Sequence, residues 1–407
     1  MQNFEWLIVD DCSTDQKAVE LFESLPGRSE KLRTFRHPVN RGVSAARNTA
    51  VSQAKGKYLF FLDLDDLIDP TYLEKCVLFL ELHPDFSFVN SYNIGFQEQE
   101  YWWRLGFDQA PRFIEDNSVT IMLMYRKADF EKLGGFDESF RFYEDWERWL
   151  KALSEGQKGW TLPEFLHCYR RLDSGLLSTS QRKEAIRKEA LRQIKQKYEN
   201  RFKKNSPLVP QWSEQTTPYD VKNLRRRLPI DNVLDSEAPA EGKRILFLYP
   251  HLEVGGADKY NLDLLTLLGK KGCRLTIATT RSGAANEWHE HFYKITPDIF
   301  HLSNYAYEHD WLAIVRYLIE SRRIDVFFIS NSYFAYYLLP LLRALQGAAR
   351  TFPAAIPLPL ADPLPAGGER REFLRARFTD GQAVPLAERD SSALRVLAAA
   401  DLLIDRP

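Results

Sequence analysis

Three groups of carboxylates in this 407-residue chain stand where they could do chemistry. Asp63, Asp65 and Asp66 crowd the end of the apolar run Tyr58–Leu62. Like charges so close are unfavourable unless water or a cation relieves them. Aspartates two positions apart, offering only oxygen, suit a hard divalent ion, and Mg2+ commonly joins one or two carboxylates to substrate phosphates. A solvated acidic turn ahead of a helix start at Pro70, with Asp69 as its cap, is the plainer reading, and it leaves the other three acids unexplained. Asp10 and Asp11 close the run Phe4–Val9 and precede Ser13, Thr14 and Asp15. Carboxylates at that end of a strand can accept hydrogen bonds from a nucleobase N–H or from ribose hydroxyls. A turn with a helix cap calls for the same residue types. Glu144, Asp145 and Glu147 form the third group, and taken alone they read as an acidic helix start favoured by the macrodipole.

The elements that must carry these groups alternate between apolar runs and helical stretches. Phe4–Val9, Lys31–Phe35 and Tyr58–Leu62 read as strands, and Gln16–Leu25, Ser44–Ala54 and Thr71–Leu82 as helices, with Asp15 or Ser44 as caps. Such alternation implies a mainly parallel sheet with crossover helices, hence an α/β fold. Phe86–Asn90, Thr120–Tyr125 and Thr161–Tyr169 add strands of mixed direction. From Gln181 to about Lys204 a basic helix follows, with Ile186, Ala190, Ile194, Tyr198 and Phe202 as one apolar stripe. That stripe packs on the preceding domain; the sharper reading adds contact with an anionic membrane surface.

Composition narrows the class. Lys plus Arg number 55 against 56 Asp plus Glu, a balance that excludes a strongly basic nucleic-acid binder, so no nucleic-acid partner is expected. With 44% hydrophobic residues the chain can bury a core, and its length suggests two or three domains. Cys12, Cys76, Cys168 and Cys273 are far apart, without a CxxC pair, which fits a reducing cytoplasm better than a disulfide framework. No apolar run reaches the roughly 18 residues of a membrane span. A cytoplasmic protein, peripheral at the inner face of the cell membrane if the basic helix touches lipid, is the expected setting.

VDDCSTD (Val9–Asp15), NRGVSAARNTAVSQAKGKYLFFLDLDD (Asn40–Asp66), GGFDESF (Gly134–Phe140) and YEDWERWL (Tyr143–Leu150) occur in an order and spacing that resembles glycosyltransferase family 2. LPEFLHCYR (Leu162–Arg170) looks like that family's closing strand, and the resemblance covers roughly residues 4 to 175. It implies a GT-A fold, Rossmann-like, and inverting transfer from a nucleotide-diphosphate sugar to a glycan or lipid-linked acceptor hydroxyl, in surface polysaccharide assembly. Asp10, Asp11 and Arg47 would then bind the nucleotide. Asp63 and Asp65 would match the DxD pair that meets Mn2+ or Mg2+, with Asp63 also at the nucleotide and Asp66 an adjacent candidate. Asp145 would be the general base, and Glu144, Trp146 and Arg170 would serve the acceptor or support the site. The family usually begins with a further apolar strand and loop. Their absence from this stretch raises a second expectation, a truncated and inactive member that binds nucleotide or partner. FFLDLDDLIDP also resembles the nucleophile loop of haloacid-dehalogenase-like phosphatases. There, however, Asp-x-Asp is followed by Thr or Val, not Leu67, and falls on the first strand of its domain.

Past a linker at 205–242, Lys243–Thr280 and Ile329–Leu345 resemble the opening half of family 4 glycosyltransferases. This implies a partial GT-B Rossmann-like domain over 243–347, with Gly255 and Gly256 at a strand-to-helix turn that could approach a ligand. The catalytic domain with its basic helix would span 1–204. The last stretch, 348–407, has no lysine and is rich in Ala, Pro and Arg. It shows no strand–helix alternation beyond a helix and strand over Ser391–Ile404, and is expected to reflect a shifted reading frame, a fusion or a prematurely ended gene.

Overall fold

The computed structural model describes residues 3–104, 106–107, 117, 119–140, 142–172, 184–199, 228–230, 242–332 and 334–335, and the backbone of three strands within 372–406. Two compact units result. One comprises Met1–Pro239, Thr276–Ala278 and Pro297–Asp325; the other comprises Ala240–Leu275, Thr279–Thr296 and Val326–Pro407.

In the first unit β1 (Trp6–Asp10) and β2 (Leu32–Arg36) pair in parallel, joined by helix α1 (Gln16–Glu23), whose N-terminus Asp15 caps through the Ala18 N–H at 2.9 Å. Helix α2 (Val43–Gln53) starts at Gly42, not at Ser44 as expected. Gly42 sits at φ 93°, which a side chain rarely adopts. The N–H groups of Arg41 and Gly42 just ahead of the helix are met by Asp11, which ties the β1 loop to this helix start. Among the described residues β1 pairs with no strand except β2. Trp6 stays half exposed on it, the Lys31 ammonium lies 5.0 Å over the Phe4 ring, and Glu5 pairs with Arg33 at 2.5 Å.

The larger sheet takes the order β3 (Tyr58–Phe60), β7 (Met124–Arg126), β5 (Phe88–Gln97), β8 (Gly159–Arg171) and β4 (Leu67–Ile68), with β6 (Tyr101–Trp103) hairpinned on β5. Only β5 and β8 run parallel in it; the other pairs are antiparallel. The sheet is therefore mixed, where strand–helix alternation predicted a mainly parallel one. Helix α3 (Tyr72–Leu82) is apolar on nearly every side and is buried at every residue except Leu73 and Glu81, as such a helix must be. Its Glu74 and Lys75 are charged and inaccessible, so each needs a partner. Lys75 finds Glu164 on β8 at 2.6 Å.

Glu74 is met by residues from β11 (Ile299–His301) onward. Helix α9 (Glu308–Arg322) sends Arg322 across both Glu74 oxygens at 2.6 and 3.0 Å and both Asp298 oxygens at 2.6 and 2.9 Å, and Tyr317 adds its hydroxyl at 2.5 Å. Asn304 donates to Glu164 at 3.0 Å and His83 to the Tyr305 carbonyl at 2.9 Å. Residues 297–325 are thus built into the same unit as the carboxylate motifs. Helices α4 (Lys127–Lys132), α5 (Glu144–Ser154) and α6 (Glu184–Tyr198) complete the unit. The predicted stripe of α6 is buried at Ala190, Ile194 and Tyr198, while Phe202 lies outside the described residues.

In the second unit β9 (Arg244–Tyr249) pairs in parallel with β12 (Val326–Ile329). Helix α7 (Gly256–Lys270) follows β9, and α8 (His289–Tyr293) comes after β10 (Arg274–Thr279). Of the Ile329–Leu345 segment, residues 333 and 336–345 lie outside the described residues. The final stretch departs from expectation. Glu372–Thr379, Gln382–Pro385 and Leu402–Arg406 form a three-stranded antiparallel sheet, β13 to β15, with β13 central. Alternation along Glu372–Thr379, easily hidden among the surrounding Ala and Pro, is the signal that would have found it.

Candidate active site

The acidic loop leaves β3, turns with the Asp66 N–H on the Asp63 carbonyl at 3.1 Å, and enters β4. The turn pushes Leu64 outward (76% exposed) and gives the three aspartates different surroundings. Asp65 is exposed, Asp63 is partly buried and Asp66 is buried. Asp66 accepts the Arg170 N–H at 2.7 Å on one oxygen, and its other oxygen is buried with no hydrogen-bond partner. Burial, opposed by that N–H and assisted by the charges of Asp63 and Asp65, pushes its carboxyl up to about 7. Arg170 also donates Nε to the Asp65 carbonyl at 2.6 Å and lies 4.6 Å over the Phe96 ring, so it supports the loop from behind. The expected Asp69 cap at Pro70 is not formed: α3 starts at Tyr72 with Thr71 as its N-cap, and Asp69 accepts the Thr71 N–H and hydroxyl just ahead of it.

Arg47 stands at the centre. From α2 its two terminal nitrogens reach Asp63 at 2.7 Å and Glu144 at 2.6 Å. Burial works against its charge, but those two carboxylates outweigh it and hold the guanidinium firmly protonated. One side chain therefore joins the acidic loop to the start of α5, where Asp145 follows Glu144. The approach to that start is strained: Tyr143 lies at φ 61°, ψ 27°, a left-handed conformation costly for a residue with a side chain. Asp145 is partly buried, and burial together with the Glu144 charge pushes its carboxyl up to about 7, against the Trp146 N–H, Arg47 and Asn117. Trp146 is fully buried and edge-on to Tyr143, which makes it support and not an exposed platform.

Asp11 is already engaged. Its carboxylate accepts the N–H groups of Arg41 at 3.0 Å and Gly42 at 2.6 Å and pairs with His37 Nδ1 at 2.6 Å. Burial alone would raise its pKa, yet these partners hold it below the ordinary value. Its visible work is to fix the β1 loop on the start of α2. Asp10 accepts the Ser13 N–H at 3.1 Å and lies 2.9 Å from Arg36.

Several site residues escaped the sequence reading. Asn48 accepts the Phe136 N–H at 2.8 Å and donates to the Phe136 carbonyl at 3.0 Å, locking the Gly134–Gly135 turn to α2. Gly135 has φ +52°, and a Cβ there would fall 2.5 Å from Asn48 Oδ1. Gly135→Ala should therefore cost about 2 kcal/mol by strain and lost locking, read as a lower thermal midpoint. Burial raises the hydroxyl pKa of Tyr169 on β8, and the charges of Asp145, Asp66 and Asp63 add to it. Its place in LHCYR next to Arg170 was the available signal. His167, by contrast, belongs to the core: it bridges Ser91 and Thr120, each at 3.1 Å, and burial pushes its imidazole down to about 3.

Among the described residues no three His, Cys, Asp or Glu side chains come together to hold a metal ion. Asp63 and Asp65 at one exposed turn, with an unpartnered Asp66 oxygen beneath, fit an ion that arrives with a diphosphate to complete its oxygen shell. Nor is any described helix long and apolar enough to cross a membrane.

Residues 1–145 match the family model described as glycosyl transferase family 2, and residues 357–407 match the MoeA C-terminal region (domain IV). An uncharacterized glycosyltransferase of Haemophilus influenzae is 31% identical over 166 residues, 38% of this chain and 53% of that protein. The putative teichuronic acid biosynthesis glycosyltransferase TuaG of Bacillus subtilis is 29% identical, over 43% of this chain and 71% of TuaG. The UDP-Glc:alpha-D-GlcNAc-diphosphoundecaprenol beta-1,3-glucosyltransferase WfaP of Escherichia coli is 28% identical, over 46% of this chain and 72% of WfaP. The chain thus spans only about half the length of the first of these relatives. Among solved structures, S. aureus TarS in complex with UDP is 23% identical with a TM-score of 0.34, covering 42% of this chain and 52% of that one.

Proposed function

We propose that this chain is a glycosyltransferase of polysaccharide biosynthesis that moves a sugar, with inversion, from a nucleotide-diphosphate donor to a glycan or lipid-linked acceptor hydroxyl. The observation that carries it is the Arg47 bridge, which ties the acidic loop at Asp63 to Glu144 beside Asp145 within the segment that matches family 2. Leaving-group chemistry and acceptor chemistry are thereby set on the two ends of one guanidinium.

Asp145 takes the acceptor hydroxyl proton as that oxygen attacks the anomeric carbon, and the bond from that carbon to the diphosphate breaks on the opposite face. Asp63 and Asp65 would hold Mn2+ or Mg2+, which supplies electrostatic relief of the charge on the departing diphosphate. Arg170 keeps the loop in place. Asp10 and Asp11 shape the β1 loop toward base and ribose, Asp11 acting through the backbone it organises. The relatives reported above are named as glycosyltransferases, which favours transfer over a phosphatase or an inactive binding member. The resemblance of 243–347 to family 4 supports an acceptor-side role for that region. Exposed Lys188 and Lys195 on α6 are the groups that would face an anionic membrane.

The test is incubation with a panel of nucleotide sugars and Mn2+, reading which nucleotide diphosphate is released. Release should stop on chelation, and Asp65→Ala should slow it at least about tenfold at limiting Mn2+. Undiminished release by Asp65→Ala at every Mn2+ concentration would count against this assignment of the loop.

A further inference from the structure

Asn117 lies well before Asp145 in sequence, outside every motif above, yet its side-chain Nδ2 donates to Asp145 Oδ2 at 3.1 Å. Its orientation is not arbitrary. Trp149 Nε1 points at Asn117 Oδ1 at 3.3 Å, and an indole N–H can only donate. The amide oxygen must therefore face Trp149, which leaves the amide NH2 turned to the carboxylate. Trp149 sits one helical turn beyond Asp145 on α5, fully buried and edge-on to Phe107 at 5.7 Å, so its ring has little room to swing.

We propose that Asn117, oriented by Trp149, is a positioning residue for Asp145: it holds Oδ2 as an acceptor and so leaves the proton to be taken at Oδ1. A proton on Oδ2 would set two donors against each other, and the amide disfavours that form. The other groups facing Asp145 are Glu144 on its own helix, Arg47 from α2, Tyr125 from β7 and Tyr169 from β8. Burial and Glu144 favour the protonated acid; the Trp146 N–H, Arg47 and Asn117 oppose it. The name of base rests on the transferase reading above, whereas the hydrogen-bond geometry does not.

The experiment titrates Asp145 directly in the full chain, with aspartate Cγ labelled by 13C and the Asp145 signal identified by its loss in Asp145→Asn. In Asn117→Ala the titration midpoint should rise by about one pH unit, as expected for loss of a hydrogen bond to a charged group. Asn117→Ser should restore part of it. Trp149→Phe, which keeps a ring and deletes the indole N–H, should move it the same way by less, and decides the matter if Asn117→Ala does not fold. In transfer assays kcat of Asn117→Ala should fall about tenfold with the donor KM unchanged, and the acid limb of kcat should follow the new midpoint. A midpoint that stays put overturns the positioning role even if the wild type transfers sugar. A moved midpoint in a wild type that transfers no sugar upholds it and sinks the transferase reading instead.

Discussion

Asp145→Asn should leave a folded protein that still binds a nucleotide sugar but transfers it about a thousandfold more slowly, within the range a positioned general base contributes. The amide matches the carboxylate in shape and cannot take a proton. The substitution also removes a charge beside Glu144, so melting should hold or improve, and lost activity would not be lost folding. The pH dependence follows from the same site. Transfer needs the ionised form, and the Asp145 carboxyl is pushed up to about 7 by burial and by Glu144. Wild-type kcat/KM should be level above that pH and drop about tenfold for each unit below it. Asp145→Asn should lose that limb along with its rate. If the variant keeps more than a tenth of wild-type transfer, the base lies elsewhere.

Arg322→Leu should be the most damaging single change to stability, at about 4 kcal/mol. Its guanidinium is buried and accepted by Glu74 and Asp298 together, and the two carboxylates hold it firmly charged against burial. Leucine fills part of the volume but leaves the buried Glu74 and the half-buried Asp298 carboxylates facing each other without a cation. That situation costs far more than the intact network contributes over an apolar one. Because the chain has two compact units, the reading should be the urea midpoint of the transition reported by tryptophan burial, not a single global value. Arg192→Ala, on an exposed pair with Glu189, should leave that midpoint where it is. Equal behaviour of the two variants would mean that the Glu74 network is dispensable.

What the sequence shows and what it hides divide along the range of the interactions. Tyr58–Leu62 and Thr71–Leu82 are legible because an apolar run and a helical period are local properties, and the structure places β3 and α3 within a few residues of them. The motifs that carry Asp63, Arg47 and Asp145 were legible by order and spacing, residues 1–145 match the family 2 model, and the structure brings Arg47 onto Asp63 and Glu144. The partners were not visible. Nothing near Asn117 announces that it will meet Asp145, nor does Asn48 advertise a turn at Phe136, since each contact closes a long loop. The helical period within α9 is a local property too, but it could not say that Arg322 would be buried against Glu74. The hairpin β5–β6 was missed because Gln97, Glu98, Gln99 and Glu100 are polar and end the apolar pattern before β6 begins.

The outer side of β1 carries a consequence for the protein in concentrated solution. A strand that, among the described residues, is paired on one side only will accept an extended chain that offers matching N–H and C=O groups, including another copy, and an exposed Trp6 makes such an encounter stickier. Charge guards this border: Lys31 over Phe4, and Glu5 held by Arg33. Ion pairs of this kind weaken as salt shortens the reach of charge, while the indole loses nothing. Colloidal behaviour should therefore be governed by a handful of residues at one margin of the sheet, far more than by the near-zero net charge of the whole.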